Sequence, residues 1–168
     1  MAGTTTAKAI VIVGMTGTGK STYVKNNILL KVPFNNQLIF DVNNEYKNFN
    51  TFKEIDIFKF MQTAKVVNNK LVLFEEATIF FSNKGVSMDL FNILVRKRHQ
   101  NNTLVFVFHS LRRVPLDILD MVDYLVLFKT NDNPSIINSK FKDTEKITSA
   151  FLIVNKSVDK YKPIVVKL

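Results

Sequence analysis

The sequence predicts an α/β domain: a mainly parallel β-sheet with helices on both faces. Three observations carry this. Short apolar runs rich in β-branched residues alternate with helical segments over most of the length. The first run stops at a cluster of glycines, as a buried strand does when it enters a tight turn. No apolar run approaches the roughly 18 residues a membrane span requires, so the runs are strand-sized.

"AKAIVIV" (7–13) reads as the first strand, and "KSTYVKNNILL" after the glycines has helical character. "QLIFDV" (37–42) is the second strand, followed by "TFKEIDIFKFMQTA" (51–64) as an amphipathic helix. "KLVLFEE" (70–76), apolar on both faces, is the third strand. "SMDLFNILVRKRHQ" (87–100) predicts a helix, with Ser87 as N-cap and basic residues where the dipole favours them. "TLVFVFHS" (103–110) is the fourth strand, Pro115 opens a short helix through Met121, and "YLVLFKT" (124–130) is the fifth strand. The tail, "AFLIVNKSVDKYKPIVVKL", reads as a two-strand β-hairpin over 149–168, with Pro163 keeping its second strand at an edge. Five Asn-Asn pairs stand mostly at element boundaries, where asparagine can take the left-handed turns that scarce glycine does not supply.

A chain of 168 residues, 46% hydrophobic, suits one domain, residues 1–168, with 1–7 as a flexible N-terminus. There is no signal-peptide pattern, and cysteine is absent, which excludes disulfides and thiolate metal sites. The net charge of +9 has its densest contributions in the lysines after Asn138 and in "RKRH" at 96–99. Such a surface serves solubility or meets a polyanion, of which nucleic acid is the leading example.

Three of the five glycines fall within "GMTGTGKST", Gly14 to Thr22. The segment matches the phosphate-binding pattern GxxxxGK[ST] in full, between a strand and a helix as the pattern requires. Gly14, Gly17 and Gly19 let the main chain wrap so that N–H groups from Gly14, Met15, Thr16, Gly17, Thr18, Gly19, Lys20, Ser21 and Thr22 can face phosphate oxygens. Lys20 is expected at the β- and γ-phosphates and Ser21 at Mg²⁺. In "LVLFEEA", four apolar residues precede two acids at a strand end. Glu75 is expected to support the metal and Glu76 to polarise the attacking water. "NKSVD" (155–159) departs from the guanine-reading Asn-Lys-x-Asp, since Val158 holds the acidic position. The sequence also lacks the Asp-x-x-Gly of a GTPase. A small-molecule kinase fits the length, but no glycine-flanked lid is visible. The calcium-loop flavour of "DVNNEY" fails because Tyr46 stands where glycine must. His99 and His109 have no metal-ligand spacing.

With "IFDVNNEY" and "RKRHQNNTLVFVFHSLRRVP", these motifs in this order resemble the FtsK–HerA superfamily of DNA-pumping ATPases. The chain is most similar to the compact genome-packaging ATPases of membrane-containing icosahedral viruses, over about Ala9 to Thr130. The resemblance implies a P-loop NTPase with sheet order 5-1-4-3-2, ATP and Mg²⁺ as substrate and cofactor, and sequence-independent contact with DNA. It implies a homo-oligomeric ring, pentamer or hexamer, with a capsid-vertex or membrane protein as further partner, in the host cytoplasm or on the virion. By the same resemblance His109 falls at the γ-phosphate sensor position, where the family usually has Gln. Arg96 or Arg98 is expected to reach the neighbouring subunit's site, with Arg112 and Arg113 as fallbacks. Asp41 and Glu45 are expected near the nucleotide or the interface. Alternatives left open are a non-catalytic nucleotide-binding assembly module, a filament-assembly or secretion ATPase, and a small-molecule kinase.

Overall fold

The computed structural model describes residues 7–49, 52–54, 56–82 and 84–168; the expected flexible N-terminus lies almost wholly outside them. Seven strands form one sheet: β1 (Ala9–Val13), β2 (Gln37–Phe40), β3 (Phe52–Glu54), β4 (Leu71–Phe74), β5 (Thr103–Phe108), β6 (Tyr124–Leu127) and β7 (Ile164–Lys167). Their order is β3-β2-β4-β5-β1-β6-β7. The first five strands read from sequence take the order 5-1-4-3-2 within it; β7, the edge strand expected after Pro163, lies at one edge, and β3 is added at the other. All neighbours are parallel except β6 and β7.

Each central strand is buried on both faces, so its residues alternate between two cores. From β1, Val11 and Val13 enter one core and Ile12 the other. The first core is rich in phenylalanine: Phe74 and Phe106 stack at 4.7 Å, and Phe40 meets Phe80 edge-on at 4.6 Å. It is covered by helices α2 (Ile57–Val66), α4 (Lys84–Arg96) and α7 (Glu145–Lys156), which contribute Phe60, Leu90 and Phe151 among others. On the opposite face, α1 (Lys20–Tyr23) runs on through a π turn, Val24–Ile28, and a 3-10 turn, Leu29–Lys31, burying Val24 and Leu29. Short helices α3 (Thr78–Phe81), α5 (Leu116–Leu119) and α6 (Ser135–Lys140) complete the chain.

Three local expectations need correction. The helix expected from residue 51 starts at Ile57, because the Asp56 carboxylate caps the N–H groups of Phe58 and Lys59 at 2.9 and 3.1 Å. Residues 52–54 instead pair with β2 at the sheet edge. Ser87 is not an N-cap: α4 begins at Lys84, and the Ser87 hydroxyl donates to the Lys84 carbonyl at 2.9 Å. The tail is not a local hairpin. "AFLIVNK" is the C-terminal part of α7, and β7 alone returns to pair antiparallel with β6. Ile147, Ala150, Phe151 and Val154 are the buried residues of α7, at the i, i+3, i+4, i+7 spacing of a helix face. The asparagine expectation is met at Asn44, Asn69 and Asn101, with φ of 55°, 57° and 52°.

Candidate nucleotide site

Parallel pairing brings the C-terminal ends of β1, β4 and β5 to one edge of the sheet. Val13 stands opposite both Phe108 and Leu127, and Phe74 opposite Phe106. The loop after β1 therefore meets Glu75 and Glu76 from β4 and His109 from β5, the place where open α/β sheets bind ligands. Gly14 N–H donates to the Phe108 carbonyl at 3.2 Å and Met15 N–H to the Lys129 carbonyl at 2.9 Å, which seats the loop between its neighbours and takes up two N–H groups that were expected to face phosphate. A β-carbon on Gly14 would lie 2.5 Å from Phe128 Cβ, and Gly17 and Gly19 have φ of 76° and 84°. Each glycine thus has its own reason, contact at the first and left-handed turns at the other two. Thr18 closes the loop on itself, its hydroxyl donating to the Met15 carbonyl at 2.8 Å.

The pocket beside this loop has a volume of about 360 Å³ and is lined by Thr16, Gly17, Gly19, Lys20, Ser21, Thr22, Lys25, Glu45, Glu75, Glu76 and His109. Lys20 is buried, and its ammonium donates to the carbonyls of Gly14 and Met15 at 2.7 and 3.0 Å. Burial pulls its pKa below the ordinary lysine value, opposed by Glu75, Glu76 and Glu45. Lys20 Nζ also lies 3.4 Å from His109 Nδ1, and His109 Nε2 lies 2.6 Å from Glu76 Oε1. An ammonium can only donate, so Nδ1 is the acceptor and the ring proton sits on Nε2, donated to Glu76. Glu76 has φ of 53°, a left-handed conformation that is costly for a residue with a side chain. That bend, immediately after β4, holds its carboxylate against His109.

Glu75 is 3% exposed and accepts a 2.5 Å hydrogen bond from the Tyr46 hydroxyl. Burial raises its pKa to about 7, with Glu45 and Glu76 adding to the rise while Tyr46 and Lys20 oppose it. Burial together with Glu75 pushes the Tyr46 phenol well above the ordinary tyrosine value, and the Ser21 side chain opposes the rise. Tyr46 is in turn set by Asp41, whose carboxylate accepts the N–H groups of Glu45 and Tyr46 at 2.9 and 3.0 Å. Sequence reading placed Asp41 and Glu45 near the nucleotide or the subunit interface. Glu45 does line the pocket, whereas Asp41 acts through the turn it builds. Tyr46 as the donor to Glu75 was missed, since nothing in the sequence ties residues 29 apart.

Three carboxylates beside a loop built for phosphate fit a divalent cation, which relieves repulsion among them and with the anion. Ser21 and Glu75 offer hard oxygen donors of the kind magnesium takes. Among the described residues no three His, Asp or Glu side chains form a metal cage by themselves. Such a set suits an ion that completes its shell with water and phosphate.

Arg96 and Arg98 are not in this pocket. They are exposed at the end of α4 and in the turn after it, at the opposite end of β5 from His109, roughly 20 Å away at about 3.3 Å per strand residue. Lys97 between them is buried and paired with Asp123 at 3.0 Å, so the alternation turns both guanidinium groups outward. Arg112 and Arg113 are exposed on the turn after β5, nearer the site.

Residues 6–142 match the family model of the helicase HerA central domain. The chain belongs to that family. The HerA domain is thus a P-loop ATPase domain of the HerA–FtsK kind, and the match takes in every pocket residue named above. Among solved structures, this HerA-type chain is similar to the genome-packaging NTPase B204 of Sulfolobus turreted icosahedral virus 2 in complex with AMPPCP. The TM-score is 0.77 at 18% identity, over 96% of this chain and 92% of that one. The same viral protein with ATP-gammaS gives 0.74 at 16% identity, over 95% and 91%. EssC of Geobacillus thermodenitrificans gives 0.62 at 12% identity, over 97% of this chain but 38% of that one. No curated protein sequence matches. Among the described residues no helix is long and apolar enough to cross a membrane.

Proposed function

We propose that this chain is a Mg²⁺-dependent, ATP-hydrolysing DNA translocase that packages a viral genome into a preformed capsid. The observation that carries the proposal is the 2.6 Å clamp of His109 on Glu76, one hydrogen bond from the phosphate-loop lysine. The packaging reading is favoured over secretion because the fold is more similar to the viral B204 NTPase, at a TM-score of 0.77, than to EssC, at 0.62.

In this reading the loop Gly14–Thr22 holds the triphosphate, and Lys20 leaves the Gly14 and Met15 carbonyls to meet it. Ser21 and Glu75 hold Mg²⁺, which when bound neutralises charge on the phosphates. Glu76 accepts the proton of the attacking water. His109, with its proton on Nε2, keeps Glu76 aimed, and its Nδ1 faces the group that changes partner when nucleotide arrives. Arg96 or Arg98 completes the site of the next subunit in a ring, because neither can reach its own. The basic surface holds the DNA backbone without reading bases. The work is done in the host cytoplasm at the assembling virion, where a capsid-vertex or membrane protein seats the ring.

The test is ATP turnover with and without double-stranded DNA over a salt series. DNA should stimulate turnover, and the stimulation should fall steeply with salt. Turnover indifferent to DNA at every salt concentration, in samples that form rings, overturns the translocase reading.

A further inference from the structure

The C-terminal tail, which the triphosphate site does not use, carries an exposed aromatic ring to the phosphate loop. Tyr161 is 62% exposed, yet its ring edge lies 3.1 Å from where a β-carbon on Gly19 would stand. The side it occupies matters. Glu75, Glu76 and His109 follow β4 and β5 on one flank of β1, and Tyr161 precedes β7 on the other flank, beyond β6. A triphosphate whose terminal phosphate faces Glu76 and His109 therefore directs its nucleoside towards Tyr161.

The segment leading to the ring is fixed from within. The Asn155 side chain accepts the Thr130 N–H at 2.9 Å and donates to the Phe151 carbonyl at 3.0 Å. Ser157 donates to the Asp159 carbonyl at 3.1 Å, and Asp159 accepts the Tyr161 N–H at 2.9 Å. Lys129 reaches the Ser157 carbonyl at 3.5 Å, and the Lys160 ammonium lies 5.1 Å from the Tyr161 ring centre. In "NKSVD" the asparagine and the serine thus use their polar groups inside the protein, and Val158, in the place of a base-reading acid, is fully exposed.

We propose that Tyr161 is the platform for the nucleobase, holding it by stacking and without reading its edge, so that purine nucleoside triphosphates as a class are accepted. Stacking on an aromatic ring is tolerant of base identity because every base has a π-face. The proposal rests on the nucleotide site described above. It adds the half of the ligand that the phosphate loop does not touch.

The experiment measures equilibrium binding of AMPPCP, its guanosine counterpart GMPPCP, and inorganic tripolyphosphate to wild type, Tyr161→Ala and Tyr161→Phe. Thermal melts would show that the variants fold, as expected for an exposed side chain. Tyr161→Ala should weaken both nucleotides on the order of tenfold or more, the range of one base–aromatic stack. It should leave tripolyphosphate unchanged, and Tyr161→Phe should bind all three as wild type does. AMPPCP and GMPPCP should agree within about tenfold, since no edge contact separates them. Tyr161→Ala binding AMPPCP as tightly as wild type overturns the platform while leaving the phosphate site standing. A GMPPCP affinity more than a hundredfold below that of AMPPCP overturns its tolerance. Wild type that binds neither nucleotide nor tripolyphosphate overturns the nucleotide site and the platform together.

Discussion

Glu75 is where burial and function pull in opposite directions, and the conflict can be measured without any nucleotide. Its carboxyl is 3% exposed, and its pKa rises from 4.5 to about 7. Below pH 4.5 the folded and unfolded chains both hold the proton, and burial carries no ionic penalty. Between 4.5 and 7 only the folded chain holds it, so stability falls as pH rises, and above 7 the full penalty is present. The gap between the two values, at about 1.36 kcal/mol per pH unit, is about 3 kcal/mol. Glu75→Gln keeps an acceptor for the Tyr46 hydroxyl and removes the charge. At pH 8 the variant should therefore be the more stable by up to about 3 kcal/mol, a Tm rise of roughly 6–12 °C for a domain of this size. At pH 4.5 the two proteins should unfold together. Urea and thermal unfolding in EDTA at both values is the assay. A Gln variant no more stable than wild type at pH 8, or one whose advantage is the same at both pH values, would refute the reasoning.

Three other outcomes follow from the same geometry. Gly14→Ala forces a methyl to within 2.5 Å of Phe128 Cβ and 2.9 Å of Thr18 Oγ1, and should destabilise by about 2–3 kcal/mol, seen as a lower urea midpoint at unchanged slope. Lys20→Ala should abolish tripolyphosphate binding while leaving the fold intact, as read by calorimetric titration and circular dichroism. Arg96→Ala or Arg98→Ala, whichever acts across the interface, should lower turnover by about 10³-fold. Mixing that variant with Lys20→Ala chains should restore turnover that neither sample has alone, and failure of every mixture would remove both arginines from a role between subunits.

The sheet was legible in sequence because its strands are buried on both faces. Runs such as "AIVIV" and "LVLF" have no polar alternation to confuse with a helix, and the glycines at 14, 17 and 19 mark the loop by close contact and left-handed turns that other residues adopt only at a cost. At the edges, the strand after Pro163 was legible and is β7, whereas β3 and the helix before β7 were not. "FKE" is a three-residue strand beside β2, too short to show a strand pattern in the sequence. "AFLIV" reads as strand by composition, although its burial follows the helical period set earlier, from Ile147. In the site, Thr16, Gly17, Gly19 to Thr22, Glu75 and Glu76 of the contiguous motifs line one pocket. The links made through space were out of reach: Tyr46 donating to Glu75, the left-handed backbone at Glu76, and Tyr161 folding back over Gly19.

The central claim is that Glu76, bent into place after β4, takes the proton when ATP is cleaved. The most direct measurement pairs single-turnover ATP hydrolysis with equilibrium ATP binding for wild type and Glu76→Gln. A positioned base contributes about 10²- to 10⁴-fold, so the variant should lose at least about 100-fold in rate while binding ATP as wild type does. Equal rates in the two proteins would contradict the account.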